Sequence, residues 1–431
     1  MTLPVSLDQW LAFIEAGHPT EIELGLDRVA AVAARLQIDL KPATVITVAG
    51  TNGKGSTTTF LDSILTAAGY RTGVYTSPHF LEYNERIRVL GKEAEDSRIC
   101  EAFYDIEQAR GDISLTYFEF GTLAALQIFA QAQLDFVILE VGLGGRLDAV
   151  NIIDADLAIL TSVALDHTDW LGDTLEQIGY EKAGIFRANK PAICGLTNPP
   201  KSVVEHARAI GTPLLRAGVD FELEHNGNAN TWSWRGQDHQ GRLIEYTDLP
   251  LPNLPLINAP SVIQALSLVA PKVNVSAIKK GLSEAQMTGR MQSARLGKAR
   301  MLMDVAHNEE AAQYLVERLK DLHFAGKLHL ILGMLKDKDR AAVMAQLAKL
   351  QPIWHLVSLQ GPRASSAAEL SRLLDAKVGS MEVSEYDSVG SAFGALEPRV
   401  EPDDLVLVCG SFLTVTEALE WLKQHPSPDR V

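Results

Sequence analysis

Cysteine is scarce in this sequence, and the scarcity excludes two kinds of stabilising site. Of 431 residues only three are cysteines, and Cys100, Cys194 and Cys409 lie far apart in the chain. An odd number of widely spaced thiols fits neither a disulfide framework nor a zinc site, because both need pairs or clusters of cysteines. The 46% of hydrophobic residues instead provide ample material for apolar cores.

Long hydrophobic runs and an excess of basic residues are also missing. No apolar stretch approaches the ~20 residues that span a bilayer, and Met1–Ser6 lack the basic start and apolar run of a signal peptide. Acidic residues number 54 against 39 basic ones, a net charge of −15, whereas a nucleic-acid interface needs clustered Lys and Arg. We therefore expect a soluble, cytoplasmic protein that binds neither membranes nor nucleic acid.

Strand-like apolar runs alternate with helix-like segments along most of the chain. Strands are predicted near residues 45–49, 71–76, 135–141, 157–163 and 191–194. Helices are predicted near residues 57–68, 96–110, 120–131 and 174–187. Such alternation predicts an α/β fold with a mostly parallel, doubly wound sheet.

Two segments interrupt this alternation. Between residues 219 and 249 a polar–apolar alternation predicts a β-hairpin insertion, and residues 287–297 show no clear periodicity. A second, smaller series of strands and helices begins near Arg300. We therefore predict two α/β domains, residues 1–290 and residues 291–431.

The strongest motif lies between a predicted strand and a predicted helix and reads Gly50-Thr51-Asn52-Gly53-Lys54-Gly55-Ser56. Glycines let backbone amides approach phosphate oxygens, and the N-terminus of the following helix adds partial positive charge. Lys54 can reach terminal phosphates, and the hydroxyl of Ser56 can bind Mg²⁺. The usual phosphate-loop pattern has glycine where Val48 stands and the hydroxyl one residue earlier. A glycine-rich turn with a solvated lysine is therefore the alternative.

Two predicted strands end in residues that can bind metal. Glu140 closes one apolar run, and His167 follows the next. The carboxyl ends of parallel strands share one ligand-binding edge, and carboxylate oxygens suit Mg²⁺. These residues alone equally allow a solvent-facing glutamate and a hydrogen-bonded structural histidine.

Three polar segments keep more than one interpretation. Gly142–Asp148 lacks the third glycine of a dinucleotide fingerprint, so we expect it to present Arg146 and Asp148 to a ligand. Lys182 lies on or near a helix, where a surface lysine is the simplest interpretation. Asp304–Asn308 joins a strand to a helix and fits either one face of a cleft or a helix cap.

Together these motifs resemble the Mur ligase superfamily and, within it, the folylpolyglutamate synthases of the bifunctional kind that are also dihydrofolate synthases. The motifs occur in family order across nearly the whole chain. They are Gly50–Ser56, Thr76–Phe80, Tyr83–Arg86, Glu140–Asp148, Ala164–Leu171, Glu181–Phe186, Asp304–Asn308 and Gly333–Asp339.

The resemblance implies an ATP-binding domain with a phosphate loop, a smaller Rossmann-like C-terminal domain, and an active site between them. The implied reaction joins L-glutamate to a folate-type carboxylate through an acyl phosphate, using ATP and one or two Mg²⁺ ions. ATP would be held by Thr51, Asn52, Gly53, Lys54, Gly55, Ser56, Asn258, Arg290 and Asp304. The metal ligands would be Ser56, Ser77, Glu140, His167 and Lys182 in carboxylated form. Lys54, Lys182 and His307 would be catalytic.

The resemblance extends to the acceptor site, where dihydropteroate or a tetrahydrofolate-type folate would bind. The implied residues are Glu21, Ile22, Glu23, Leu24, Thr116, Tyr117, Phe118, Glu119, Leu147, Asp148 and Ala149. This match favours the bifunctional enzyme, expected to be a monomer.

Three other functions fit the sequence less well. A muramoyl amino-acid ligase would share the fold, but the segment Thr116–Glu119 argues against it. A GTPase needs a guanine-specificity motif, and Asn189–Ala192 lacks its aspartate. A hydrolase of the nucleophile-elbow kind needs Gly-x-Ser-x-Gly, which does not occur.

Overall fold

The apolar runs of the sequence form the central strands of two sheets in a computed structural model of the chain. The structure describes residues 3–20, 22–225, 231–270, 272–320, 322, 324–378 and 382–426. The chain divides into two compact units, Met1–Gln286 and Met287–Val431, which we call unit 1 and unit 2. Both are built of strands alternating with helices, so the predicted α/β class is confirmed.

Unit 1 carries the phosphate loop and most of the other predicted site residues. Its helices are α1 (Leu7–Ala16), α2 (Asp27–Arg35), α3 (Lys54–Ala67), α4 (Asp96–Arg110), α5 (Tyr117–Gln131), α6 (Thr168–Leu171), α7 (Leu175–Ala183), α8 (Lys201–Ile210), α9 (Ala259–Val269) and α10 (Val275–Glu284). Its strands are β1 (Thr44–Ala49), β2 (Thr72–Tyr75), β3 (Ile87–Val89), β4 (Lys92–Glu93), β5 (Phe136–Glu140), β6 (Leu157–Leu160), β7 (Ala192–Cys194), β8 (Leu214–Arg216), β9 (Glu222–His225), β10 (Thr231–Gln237) and β11 (Leu243–Pro250).

The large sheet of unit 1 has the strand order β4-β3-β2-β5-β1-β6-β7-β8. The six strands from β2 to β8 in this order are parallel, and β3 and β4 extend the edge in antiparallel fashion. Strands β1, β5 and β6 are almost wholly buried, as continuous runs of β-branched and aliphatic residues predict for strands covered on both faces. Their carboxyl ends lie side by side, because Val48 pairs with Glu140 and Ala49 with Leu160.

Two predicted elements of unit 1 are shorter than expected. Strand β6 ends at Leu160, and residues 161–163, expected to complete it, form a loop instead. The helix predicted at 174–187 ends at Ala183, where Gly184 follows. The side chain of Thr174 caps its N-terminus and exchanges hydrogen bonds with Gln177.

The insertion predicted as a hairpin is a three-stranded antiparallel sheet of order β11-β10-β9. Trp234 is fully buried and its indole Nε1 donates to the carbonyl oxygen of Pro260, 3.1 Å away. The amide side chain of Gln264 both accepts from and donates to the backbone of Gln237, at 3.0 and 2.7 Å. The insertion is thereby fastened to α9.

Unit 2 contains β12 (Gln292–Leu296), β13 (Ala299–Met303), α11 (Glu309–Lys320), β14 (Leu328–Leu332), α12 (Arg340–Leu347), β15 (Ile353–Val357), α13 (Ala367–Val378), β16 (Val383–Tyr386), α14 (Val389–Leu396), β17 (Leu405–Cys409) and α15 (Phe412–Gln424). Its sheet has the order β12-β13-β17-β14-β15-β16, with β12 antiparallel and the other strands parallel. The segment without clear periodicity therefore contains a strand, β12, at the sheet edge. Across the described parts of both units, no helix is long and apolar enough to cross a membrane.

Candidate active site

The phosphate loop leaves the carboxyl end of β1 and enters α3. Gly53 occupies the N-cap of α3 with φ of 86°, a left-handed conformation that favours glycine. A Cβ at Gly53 would lie 2.5 Å from Oδ1 of Asn258. The loop can therefore approach Asn258 only because residue 53 has no side chain.

The loop that follows β6 holds the phosphate loop in place. The amide N–H of Thr51 donates to the carbonyl oxygen of Ser162 at 3.0 Å, and that of Asn52 donates to the Ser162 hydroxyl at 2.8 Å. The hydroxyl of Thr161 donates to the carbonyl oxygen of Asn52 at 2.6 Å. These contacts explain why residues 161–163 do not continue strand β6: their polar groups form hydrogen bonds with the phosphate loop instead of with a neighbouring strand.

The first turn of α3 provides the groups that an anion needs. The ammonium of Lys54 donates to the carbonyl oxygens of Gly50 and Thr51, at 2.8 and 3.2 Å, so the side chain curls over its own loop. Ser56 is buried two residues into the helix. The hydroxyl of Thr57 is buried and has no hydrogen-bond partner among the described residues. A lysine, a helix N-terminus and an unsatisfied hydroxyl suit a phosphate chain.

Two of the predicted metal ligands, Glu140 and Ser77, lie together at the carboxyl ends of the neighbouring strands β5 and β2. Glu140, at the end of β5, is buried, and its Oε2 accepts the amide N–H of Ser77 at 3.4 Å. His167 is exposed and has left-handed backbone with φ of 51°. Its Nε2 lies 3.8 Å from Oδ2 of Asp166. A carboxylate, a hydroxyl and an imidazole suit a cation that keeps several waters, although no cluster of three His, Cys, Asp or Glu side chains occurs in the described ranges.

Lys182 lies near the end of α7 and, contrary to the simplest interpretation of the sequence, is buried. Burial lowers the pKa of its ammonium to about 7, and the positive charge of Lys54 adds to the effect. Asp166 and Asp148 oppose the shift, because nearby negative charges favour the ammonium. These four side chains therefore act on one another in a single electrostatic group.

Asp148 belongs to the same group and organises the loop after β5. Its carboxylate accepts the amide N–H groups of Leu143 and Val150, at 2.8 and 3.1 Å. Burial raises its pKa to about 6 in spite of these bonds and of Lys54. Arg146, which we expect to face a ligand, also pairs with Glu181 of α7, with 2.8 Å between Nη2 and Oε1. The two side chains meet because the loop packs tightly against the end of α7.

The segments predicted to bind the pteroate meet around Arg28, a residue that the sequence analysis missed. Arg28 donates to Oε1 of Glu119 at 3.0 Å and also pairs with the carboxylate of Glu23. The amide of Gly25 donates to the carbonyl oxygen of Leu147 at 3.3 Å. Residues 22–24, 116–119 and 147–149 are therefore adjacent, whereas Glu21 lies outside the described residues.

Helix α5 begins in this region with an ordered first turn. Thr116 is the N-cap, and its hydroxyl and the carboxylate of Glu119 form a reciprocal capping box. The ring of Phe118 packs on Tyr75, with centroids 6.0 Å apart, and a Cβ at Gly142 would lie 2.6 Å from this ring. The cap therefore fixes the aromatic pair Tyr117–Phe118 at the start of the helix.

In unit 2 the predicted residues gather around the carboxyl end of β13. The carboxylate of Asp304 accepts the amide N–H groups of Met291 and Ala306, both at 3.0 Å, and lies 4.0 Å from Nη1 of Arg290. Burial raises the pKa of Asp304, against the charge of Arg290. Nδ1 of His307 hydrogen-bonds the carbonyl oxygen of Val305 at 2.8 Å. The ring of Phe412 packs near both the Arg290 guanidinium and the His307 imidazole.

Known proteins match the chain in both units. The family described as the Mur ligase middle domain matches residues 48–225, and the Mur ligase glutamate ligase domain matches residues 289–412. A dihydrofolate synthase/folylpolyglutamate synthase of Escherichia coli K12 is 48% identical over 415 residues, which cover 96% of this chain and 95% of the relative. This chain belongs to the Mur ligase family. The resemblance identified from the motifs is confirmed.

Solved structures of the family agree with this assignment. Escherichia coli FolC in complex with DHPP and ADP has a TM-score of 0.91 and 46% identity, covering 98% of this chain and 99% of that one. A bifunctional folylpolyglutamate synthase/dihydrofolate synthase with Mn, AMPPNP and L-glutamate bound has a TM-score of 0.88 and 45% identity, covering 97% and 98%. The family resemblance therefore extends from isolated motifs to the whole fold.

Proposed function

We propose that this Mur ligase is an ATP-dependent amide ligase that adds L-glutamate to dihydropteroate and to reduced folates. It would act as both a dihydrofolate synthase and a folylpolyglutamate synthase. Relatives with this pair of activities in their names support the proposal. So do the ligands of the solved relatives, which include ADP, DHPP, AMPPNP, Mn and L-glutamate.

The observation that carries the proposal is the position of Asp148. Its carboxylate anchors the loop 143–150, which includes the pteroate-site residues 147–149. The same carboxylate is within the electrostatic reach of Lys54 in the phosphate loop. One residue thus links the part of unit 1 suited to phosphates with the part suited to a pterin. An enzyme that phosphorylates a pteroate carboxylate needs these two sites side by side.

The reaction proceeds in two displacements. An oxygen of the acceptor carboxylate attacks the γ-phosphorus of ATP, the bond to the β–γ bridging oxygen breaks, and ADP leaves. The amine of L-glutamate then attacks the acyl carbon of the resulting acyl phosphate. The amine loses a proton and inorganic phosphate leaves, so that one amide bond forms for each ATP consumed.

Residues of the phosphate loop act on the first displacement. Lys54 breaks its bonds to the loop carbonyls and places its charge on the terminal phosphates, while the amides of Thr51–Ser56 cradle the chain. Asn258 contacts the nucleotide from its position beside Gly53. Arg290 and Asp304 of unit 2 contact ATP, and His307 orients L-glutamate or the intermediate.

Ser56, Ser77, Glu140 and His167 would hold Mg²⁺. When bound, the ion would neutralise charge on the transferring phosphoryl group. We further propose that Lys182 is carboxylated on its amine and helps to hold a second ion. Its lowered pKa supports this, because only the uncharged amine reacts with CO2, and a carbamate converts a buried cation into an anion.

We assign a separate role to each predicted domain. Residues 1–290 would bind ATP and the folate or pteroate, and residues 291–431 would form the Rossmann-like ligase domain. The enzyme would work as a monomer in the cytoplasm, where ATP and L-glutamate are abundant. Size-exclusion chromatography with light scattering tests the oligomeric state.

Phosphate release tests the activity directly. The purified protein receives ATP, Mg²⁺ and L-glutamate, with either dihydropteroate or tetrahydrofolate. We expect release with each acceptor and none when L-glutamate is omitted. Release with one acceptor alone would assign a single activity. Release with neither acceptor, but with a muramoyl peptide precursor, would overturn the proposal in favour of a muramoyl amino-acid ligase.

A further inference from the structure

Arg86 is a buried cation whose side chain contacts a histidine and three tyrosine side chains, Tyr75, Tyr83 and Tyr117. It ends the short 3-10 helix Tyr83–Arg86 and is only 9% exposed. Its Nε donates to Nδ1 of His79 at 2.7 Å. The centre of its guanidinium lies 5.4 Å from the ring centroid of Tyr83 and 5.5 Å from that of Tyr117.

No carboxylate lies within 4 Å of the Arg86 guanidinium in the described part of the chain. The adjacent carboxylate of Glu85 is occupied elsewhere, because it accepts the amide N–H groups of residues 80, 81 and 82 at 2.7–2.8 Å. Other arginines of unit 1 do have acidic partners: Arg28 pairs with Glu119 at 3.0 Å, and Arg88 with Asp62 at 3.5 Å. Burying a cation without an anion costs free energy, and a bound anion would reduce that cost.

The position of Arg86 connects the two parts of the proposed site. Its carbonyl oxygen accepts the amide N–H of Thr76 at 2.9 Å, and Thr76 precedes the proposed metal ligand Ser77. On its other side the guanidinium faces Tyr117, the first residue of α5 and a member of the proposed pteroate site. An anion bound to Arg86 would therefore lie between the pteroate segment and the loop that leads to the metal site.

We propose that Arg86 binds the carboxylate of the acyl acceptor, the group that receives the phosphoryl group. This inference rests on the proposed function and adds to it the residue that recognises the reacting group. Beyond the Nε–H used by His79, the two terminal nitrogens carry four N–H groups; one reaches the Tyr75 hydroxyl, and the rest suit a planar carboxylate. The bound substrate supplies the counter-ion that the folded chain lacks at this position.

Equilibrium binding of two ligands tests the proposal. The first is dihydropteroate, and the second is its des-carboxy analogue, which has hydrogen in place of the carboxylate. We expect the unaltered enzyme to bind dihydropteroate ~10–100-fold more tightly, the range of a charge-assisted hydrogen bond. Arg86→Gln should abolish this preference, because it should weaken the binding of dihydropteroate and leave the binding of the des-carboxy analogue unchanged. Arg88→Gln, two residues away and paired with Asp62, should preserve it.

Kinetics and stability separate recognition from a structural role. In Arg86→Gln the KM for dihydropteroate should rise ~10-fold or more while the KM for ATP stays within about twofold. Arg86→Lys, which keeps the charge, should recover part of the loss. The ligand-free Tm of Arg86→Met should equal or exceed that of the unaltered enzyme, because the variant removes a buried cation without an acidic partner.

Each result decides the question. Preserved ligand preference in Arg86→Gln would overturn the role of Arg86 while leaving the proposed function intact. A variant that fails to fold, or a Tm for Arg86→Met several degrees below that of the unaltered enzyme, would assign Arg86 to the structure instead. Failure of the unaltered enzyme to bind dihydropteroate would overturn the proposed function and this inference together.

Discussion

Lys54 and Lys182 act on each other inside unit 1, although 128 residues of sequence separate them. Burial, and then the charge of Lys54, lower the pKa of the Lys182 ammonium to about 7. At pH 7 about half of such amines are uncharged, whereas an ordinary lysine, with a pKa near 10.4, is almost entirely protonated. The charge of Lys54 thus helps to keep the Lys182 amine uncharged, the form that the proposed carboxylation requires.

Carboxylation of Lys182 predicts a dependence of activity on CO2 and pH. Because the uncharged amine disappears as pH falls through about 7, CO2-dependent activity should decline below that pH. Lys182→Ala should fold normally and lose about 100-fold or more in kcat. Assays in CO2-depleted and bicarbonate-supplemented buffer provide the measurement. The control Lys190→Ala, which removes an exposed lysine paired with Asp156, should behave as the unaltered enzyme. Wild-type turnover in Lys182→Ala would remove this residue from the mechanism.

Two glycines at opposite ends of α3 predict different effects of the same substitution. Gly53 and Gly69 have nearly equal φ angles, 86° and 84°, so alanine strains the backbone by about 1–2 kcal/mol at either position. Only at Gly53 does the added Cβ meet Asn258, since nothing lies within 4 Å at Gly69. We expect Gly53→Ala to raise the KM for ATP ~10-fold, and Gly69→Ala to lower Tm alone. Equal ATP kinetics in both variants would contradict a nucleotide contact at Asn258.

Arg28 predicts a selective effect on the acyl acceptor. Loss of its bonds to Glu23 and Glu119 would separate the segments proposed to bind the pteroate. Arg28→Ala should therefore raise the KM for dihydropteroate and for tetrahydrofolate ~10-fold and leave the KM for ATP unchanged. Steady-state kinetics measure this, with Arg35→Ala as the control. Arg35 lies at the other end of α2 and donates to the carbonyl oxygens of Ala109 and Arg110. An equal effect of both variants would point to the stability of α2 instead.

A buried histidine pair predicts that acid destabilises unit 2. Nδ1 of His329 lies 3.1 Å from Nε2 of His355. Nε2 of His329 lies 3.6 Å from Oδ2 of Asp404. Burial, and then His329, lower the pKa of His355 to about 4. Between pH 4 and 6.5 the unfolded chain therefore binds more protons, so the free energy of unfolding falls as pH falls through this window.

Denaturant unfolding at several pH values measures this effect. From pH 6.5 to pH 5, His355 should contribute a loss of about 1.5 kcal/mol. His355→Gln should flatten the pH dependence by that amount, because glutamine does not titrate. His425→Gln, which alters an exposed histidine of the same unit, should leave the slope unchanged. An unaltered slope in His355→Gln would contradict the assignment.

Strand ends were the most predictable part of the site. The apolar runs before Gly50, Glu140 and His167 predict parallel strands, and parallel strands bring their carboxyl ends to one edge. The register confirms that Glu140 lies next to the strand leading into the phosphate loop. Such positions depend on local pattern and on one topological rule, which a single sequence contains.

The burial of individual side chains and their partners far along the chain could not be predicted from the sequence. Lys182 looks like a surface lysine because nothing in Glu181–Phe186 shows that the loop after β5 packs over it. The role of Arg28 depends on Glu119, 91 residues away. Strand β12 has little apolar character, since only Ala294 and Leu296 of its five residues are apolar, although their burial alternates with exposed neighbours. For Lys182 and Arg28 the deciding neighbour is distant in the chain.

The attachment of the small sheet to α9 has a consequence for how the sequence can vary. Trp234 and Gln264 join the insertion to the helix that begins next to Asn258. Substitutions that loosen this attachment would move the start of α9 and with it Asn258. They would thereby weaken the proposed nucleotide contact although they lie outside any recognisable motif. Outward positions such as Leu243, 74% exposed, carry no such constraint. The amino-acid sequence of the insertion should therefore vary freely at outward positions and very little at positions that contact α9.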